Sequence, residues 1–150
     1  MNARTLSVTW CDDIRHEVGN KLSFMGVYTG GLVVPTLPTT LPRLCAWFTA
    51  TAPVSEPFNR IAAKIIRDDG FILGHTPEVK VQPLPSNLPD GRNIQSLNGG
   101  LFISPLDLVE KCRYVQLIVT TESDELTSAK LWIEANPELL KQSGVQLVNW

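Results

Sequence analysis

The chain has 150 residues, 43% of them hydrophobic and 19% charged, with a net charge of −2. That is the balance of one globular domain long enough to bury a core, and it excludes a disordered tail. Residues 1–75 carry seven basic and six acidic side chains and residues 76–150 carry six and nine, so no basic stripe marks a nucleic-acid partner.

Apolar runs of four or five residues fall far short of the roughly 20 needed to cross a bilayer as a helix, so no membrane partner is expected. The start MNARTLSVTW has no apolar core of the kind a secretory signal needs. Cys11, Cys45 and Cys112 are odd in number and far apart, a pattern of reduced buried thiols in a cytoplasmic protein rather than a disulfide framework. Spacing leaves open the oxidation of one pair.

In chain order, Leu6, Val8 and Trp10 alternate with Thr5, Ser7 and Thr9, the period of a half-buried strand. A charged segment follows, with Asp12, Asp13, Arg15, His16, Glu17 and Lys21 inside residues 12–21. It reads as a solvated loop in which an aspartate caps a helical turn over residues 14–17. Leu22, Phe24, Gly26 and Tyr28 mark a second strand, entered through a Gly19-Asn20 turn, and residues 32–34 a short third.

Residues 35–43 hold three prolines. Proline lacks the ladder donor, so this is neither helix nor central strand but an extended crossover between two sheets. Residues 44–51 alternate again as a strand. The clearest hairpin joins residues 61–66 to 71–73 through Asp69-Gly70, a turn in which glycine supplies positive φ. A helix over 59–67 competes, and Asp-Gly between the two apolar runs decides for strand. Val79 and Val81 make a short strand.

Residues 83–100, rich in proline, glycine and asparagine, read as a long irregular loop of the kind that is often functional. Ser104-Pro105-Leu106-Asp107 resembles a helix N-terminus, with serine as cap and proline in the first turn, giving two turns to about Cys112. Residues 114–121 form the most apolar strand and residues 129–133 its return partner across the 122–125 turn. Asn136-Pro137-Glu138 opens a short terminal helix. The sum is one domain, residues 1–150, expected as an antiparallel two-sheet β-sandwich of about eight strands with one or two short helices.

No nucleophile motif or phosphate-cradling loop occurs, and no cofactor or metal-ligand set is expected. Adjacent aspartates on a strand point to opposite faces, which weighs against Asp12 and Asp13 chelating together. Trp10, Trp47 and Trp132 sit in strand patterns, where aromatics pack against a sheet. Trp150 ends a tail, residues 136–150, expected to dock on its own domain or on a neighbouring subunit.

Cys11-Asp12-Asp13-Ile14-Arg15, followed by Glu17, Lys21, Ser23, Gly26 and Tyr28, resembles the opening of an uncharacterised bacterial and prophage family of small domains. That family shares a Cys-Asp-Asp-Ile-Arg…Glu…Lys-x-Ser-x-x-Gly-x-Tyr signature and a proline-rich segment, here residues 34–42. The match is distinctive over residues 10–45. It implies a phage-encoded protein and no known activity.

The functional expectation is a non-enzymatic protein-binding or assembly module with a protein partner or a second copy of itself, cytoplasmic or virion-associated. Its contact candidates are the charged residues Asp12, Asp13, Arg15, His16 and Glu17, the proline-flanked Leu37, Leu41, Leu84 and Leu88, and Trp150. Proline pre-orders such loops and lowers the entropy lost on binding, although the same leucines serve equally well to cover the ends of a sandwich. Two rivals stand beside it. One is a small metal-assisted hydrolase using Asp12, Asp13, His16 and Glu17. The other is a ligand-binding sandwich with Trp47 or Trp132 as a stacking platform.

Overall fold

A computed structural model describes residues 3–139, and they are mostly β. Thirteen strands follow in order: β1 Thr5–Glu17, β2 Lys21–Val27, β3 Leu32–Val34, β4 Thr39–Leu41, β5 Leu44–Pro53, β6 Arg60–Arg67 and β7 Ile72–His75, then β8 Val79–Lys80, β9 Ile94–Ile103, β10 Leu106–Leu108, β11 Tyr114–Thr121, β12 Glu125–Thr127 and β13 Leu131–Ala135. Five of them are only two or three residues long, which is why the count exceeds the eight expected. Among the described residues no helix is long and apolar enough to cross a membrane.

The strands form a four-stranded antiparallel sheet in the order β2-β1-β5-β9 and a larger sheet running β3-β13-β11-β6-β7. In the larger sheet β12 also pairs β11, β8 also pairs β6, and β3 lies parallel to β13. The proline-rich segment carries the chain from β3 in the larger sheet to β5 in the smaller one, as its composition predicts. On the way β4 pairs with β10.

Alternation explains which face is buried. Leu6, Ala50 and Leu97 stand opposite one another across β1, β5 and β9, then Val8, Phe48 and Gly99, then Trp10, Ala46 and Leu101. Leu6, Val8, Phe48, Trp10, Ala46 and Leu101 meet Ala63 and Ile65 of β6 and Val115, Leu117 and Val119 of β11 in one hydrophobic cluster, while Ala50 and Leu97 pack with Phe58 in a second. Burying such side chains stabilises by about 1.5–3 kcal/mol each, and the period of two leaves a single register that can do it.

Three expectations are corrected. Residues 14–17 are strand, not a helical turn: β1 runs to Glu17, and Ile14 and His16 stand opposite Phe24 and Leu22 of β2. The charged segment is therefore a β-hairpin. Residues 104–112 form no helix either. The Ser104 hydroxyl donates to the Pro42 carbonyl at 2.8 Å instead of capping, and buried Leu106 and Leu108 flank exposed Asp107 in the period of strand β10. Finally, the irregular stretch ends at residue 93, because Ile94 begins β9.

The Gly99-Gly100 pair that looked like loop lies in mid-strand for a steric reason. A Cβ on Gly99 would sit 2.7 Å from the Phe48 ring, and one on Gly100 would sit 3.1 Å from Trp47. Of the expected terminal helix only residues 136–139 fall among the described residues, where the Glu138 N–H donates to Asn136 Oδ1 at 3.1 Å, and the elements formed by the described residues include no helix. Trp150 and most of the tail lie outside the described residues.

Candidate functional site

The charged hairpin spreads its candidates apart. Asp12 accepts a hydrogen bond from the Tyr28 hydroxyl and overlies Gly26, where a Cβ would come 2.2 Å from Asp12 Oδ2. Gly26 also holds φ at +65°, so both close approach and backbone conformation require glycine there. Burial and then the bond to Asp12 raise the pKa of Tyr28 above its ordinary value. Asp13 turns elsewhere, accepting from Arg43 Nη1 at 2.8 Å with Arg15 Nε at 3.9 Å. Arg15, His16 and Glu17 are exposed at the hairpin end. Among the described residues no group of three or more His, Cys, Asp and Glu side chains is placed to hold a metal ion.

The thiols lie close to this hairpin. Cys11 and Cys45 stand opposite each other on β1 and β5 and are both free and fully buried. Ile14, Leu22, Phe24 and Trp47 pack around them. Burial, reinforced by the neighbouring Cys45, pushes the Cys11 thiol up to about 11. Burial also raises Cys45. Thiols held protonated in this way are poor nucleophiles.

The proline-flanked leucines divide into two pairs. Leu37 and Leu41 are half-buried against the main core, where they cover its end. Leu84 and Leu88 are also half-buried and line a hollow beside Phe58. Trp150 lies outside the described residues.

Two features escaped sequence reasoning. One is Arg4, just ahead of β1. Its guanidinium donates to Thr121 Oγ1, Ser123 Oγ and Asp124 Oδ1 at 3.0–3.1 Å, to the Glu56 and Pro57 carbonyls at 3.2 and 3.1 Å, and to Glu122. It also lies 4.7 Å from the centre of the Phe58 ring. Burial by itself would raise Glu122, but Arg4 and the Asn59 and Arg60 N–H groups outweigh it and lower its pKa to about 2. Nothing about an isolated arginine near an N-terminus announces this.

The other is the outward face of the four-stranded sheet, opposite the main core. Its rows, read across the strands, are Thr5-Thr51-Ser96, Ser7-Thr49-Asn98, Thr9-Trp47-Gly100 and Val27-Cys11-Cys45-Phe102. None of these side chains is charged. Thr49 Oγ1 donates to Asn98 Oδ1 at 2.7 Å and Thr5 bonds Thr51, so the hydroxyls partly satisfy one another. At the apolar end Phe102 is 53% exposed and Val27 46%. The signal was present in the sequence as Thr5, Ser7 and Thr9 alternating in β1 and Thr49 and Thr51 in β5. What was missing was the register that aligns those positions with β9.

No family model, curated protein or solved structure matches the chain.

Proposed function

We propose that this chain is a non-enzymatic β-sandwich module that works by protein–protein contact, associating with a second copy of itself through the outward face of its four-stranded sheet. The observation that carries this reading is the absence of charge from four consecutive cross-strand rows that end in exposed Phe102 and Val27. The buried centre of a protein interface is depleted of charged residues and enriched in aromatic ones. A sheet face that stays in water commonly carries Lys and Glu to discourage such contact. The self-paired hydroxyls also lower the cost of desolvating the face, because a buried polar group is expensive mainly when it lacks a partner. The bacterial or prophage setting and the cytoplasmic location belong to the same proposal. Residues 10–45, which carry the family signature, are their support.

The test is the mass in solution by light scattering across concentration. The expected result is an oligomer of 16.6 kDa chains that Phe102→Glu combined with Thr49→Lys converts to a folded monomer. A wild-type monomer at the highest soluble concentration would overturn the reading, as would an oligomer indifferent to both substitutions.

A further inference from the structure

Strand β9 is an edge. Its pairing with β5 runs through ten residue pairs from Leu44↔Ile103 to Pro53↔Ile94, and it ends the strand order of its sheet. Along its other edge lies a cleft of about 530 Å³, lined there by residues 95–100 in unbroken succession. Side chains of a strand alternate between faces, so a cleft against a face would meet every second residue. Six in a row is the mark of a cleft that follows the edge and its backbone. Gly99 and Gly100 have no side chains of their own there, and the Phe48 and Trp47 rings lie over the two of them. Across the gap stand residues 61–63, Thr76 and residues 79–82, with Phe48 between the two walls.

Two further features of the cleft point to a ligand. Gln95 is only 4% exposed and lines the cleft. Its Oε1 accepts from the Phe58 N–H at 2.8 Å, which fixes the carboxamide and leaves its NH₂ without a hydrogen-bond partner among the described residues. Unlike Arg4 Nε and Trp10 Nε1, which are buried without a partner, this NH₂ keeps contact with solvent, so its donors are available to a ligand in the cleft. The charge is one-sided as well. Among the described residues of the lining Lys80 and Arg92 alone are of charged type, and neither forms an ion pair among the described residues, although the chain is net negative.

We infer that this cleft binds an extended acidic peptide, which adds to the open edge of β9 as a further strand. The backbone of residues 95–100 supplies the ladder, a run of roughly 20 Å at about 3.3 Å per residue. Apolar side chains of the peptide turn toward Phe48, Ile61 and Ala63. Its carboxylates meet Lys80 and Arg92, and one of its carbonyls accepts from Gln95. It shares Ser96, Asn98 and Gly100 with the outward face but uses the backbone edge of β9 where that face uses side chains, so the two proposals rest on different observations.

The probe is a short fluorescent peptide of alternating valine and glutamate, followed by anisotropy on the full chain. The expected outcome is saturable binding that weakens about tenfold, or about 1.4 kcal/mol, for Lys80→Glu combined with Arg92→Glu. Both residues are exposed, so the variant folds. Methylating alternate peptide nitrogens should abolish binding, because the ladder needs those N–H groups. Hydrogen exchange should slow at the amides of residues 96–100 when the peptide is bound. Equal affinity for a valine–lysine peptide or for the methylated peptide would overturn the inference. So would binding without protection of β9, and so would no binding.

Discussion

The β1–β2 hairpin and the Arg4 site hold the same kinds of charge and use them differently. The hairpin has the densest ionisable sequence in the chain, yet its pairs lie in solvent: the side chains of Arg15, Arg43 and Asp13 are 64%, 48% and 35% exposed. At the other site a single arginine, 10% exposed, meets a glutamate that is 16% exposed. There it ties the start of β1 to the β11–β12 turn and to the carbonyls of residues 56 and 57. Coulomb attraction is screened in water and strengthened by burial, so burial decides which charges hold the fold. Local density does not.

That contrast breaks most readily at Arg4. Arg4→Ala should cost about 3 kcal/mol in urea unfolding, because it strands Glu122 and two carbonyls in a partly buried site. A loss below about 1 kcal/mol, the range of surface pairs, would erase the distinction between the two regions.

Glu122→Gln should cost about 2 kcal/mol at neutral pH, the typical worth of a hydrogen bond to a charged group, and its pH dependence sharpens the comparison. The Glu122 pKa lies below its ordinary value, so the stability it adds is fully present above its ordinary pKa of 4.5 and is lost as pH falls through about 2. Thermal melts should therefore show wild type and variant converging between those limits. A gap that stays constant with pH would mean that the carboxylate charge contributes nothing.

The smallest effect belongs to the hairpin. Asp13→Asn removes both of its ion pairs and should shift stability by only about 0.3 kcal/mol. A shift as large as that of Arg4→Ala would show that the exposed hairpin charges bear on the fold after all.

Sequence reasoning went furthest where pattern and packing agree. The strands of residues 61–66, 71–73 and 114–121, the Asp69-Gly70 turn and the proline-rich crossover were legible, because period and turn chemistry are local. It failed at residues 104–112, where local helix signals at Ser104 and Pro105 lost to the burial of Leu106 and Leu108 against the core. It failed again at residues 94–100, where glycine looked like loop although the rings of Phe48 and Trp47 were filling the space of the missing side chains. Of the candidate contact residues, the sequence singled out charged and proline-flanked positions. It passed over β9, whose importance comes from lying at an edge.

The sequence by itself determined the β class, the alternation of each long strand and the divergence of Asp12 from Asp13, all consequences of a two-residue period. Only the tertiary structure decided that Arg4 closes onto Glu122, that threonines of β1 and β5 align with Ser96 and Asn98 into an uncharged face, and that β9 ends its sheet beside a cleft. Those facts depend on which strands pair and in what register. Pairing is set by contacts between residues far apart in the chain, and no local pattern records them.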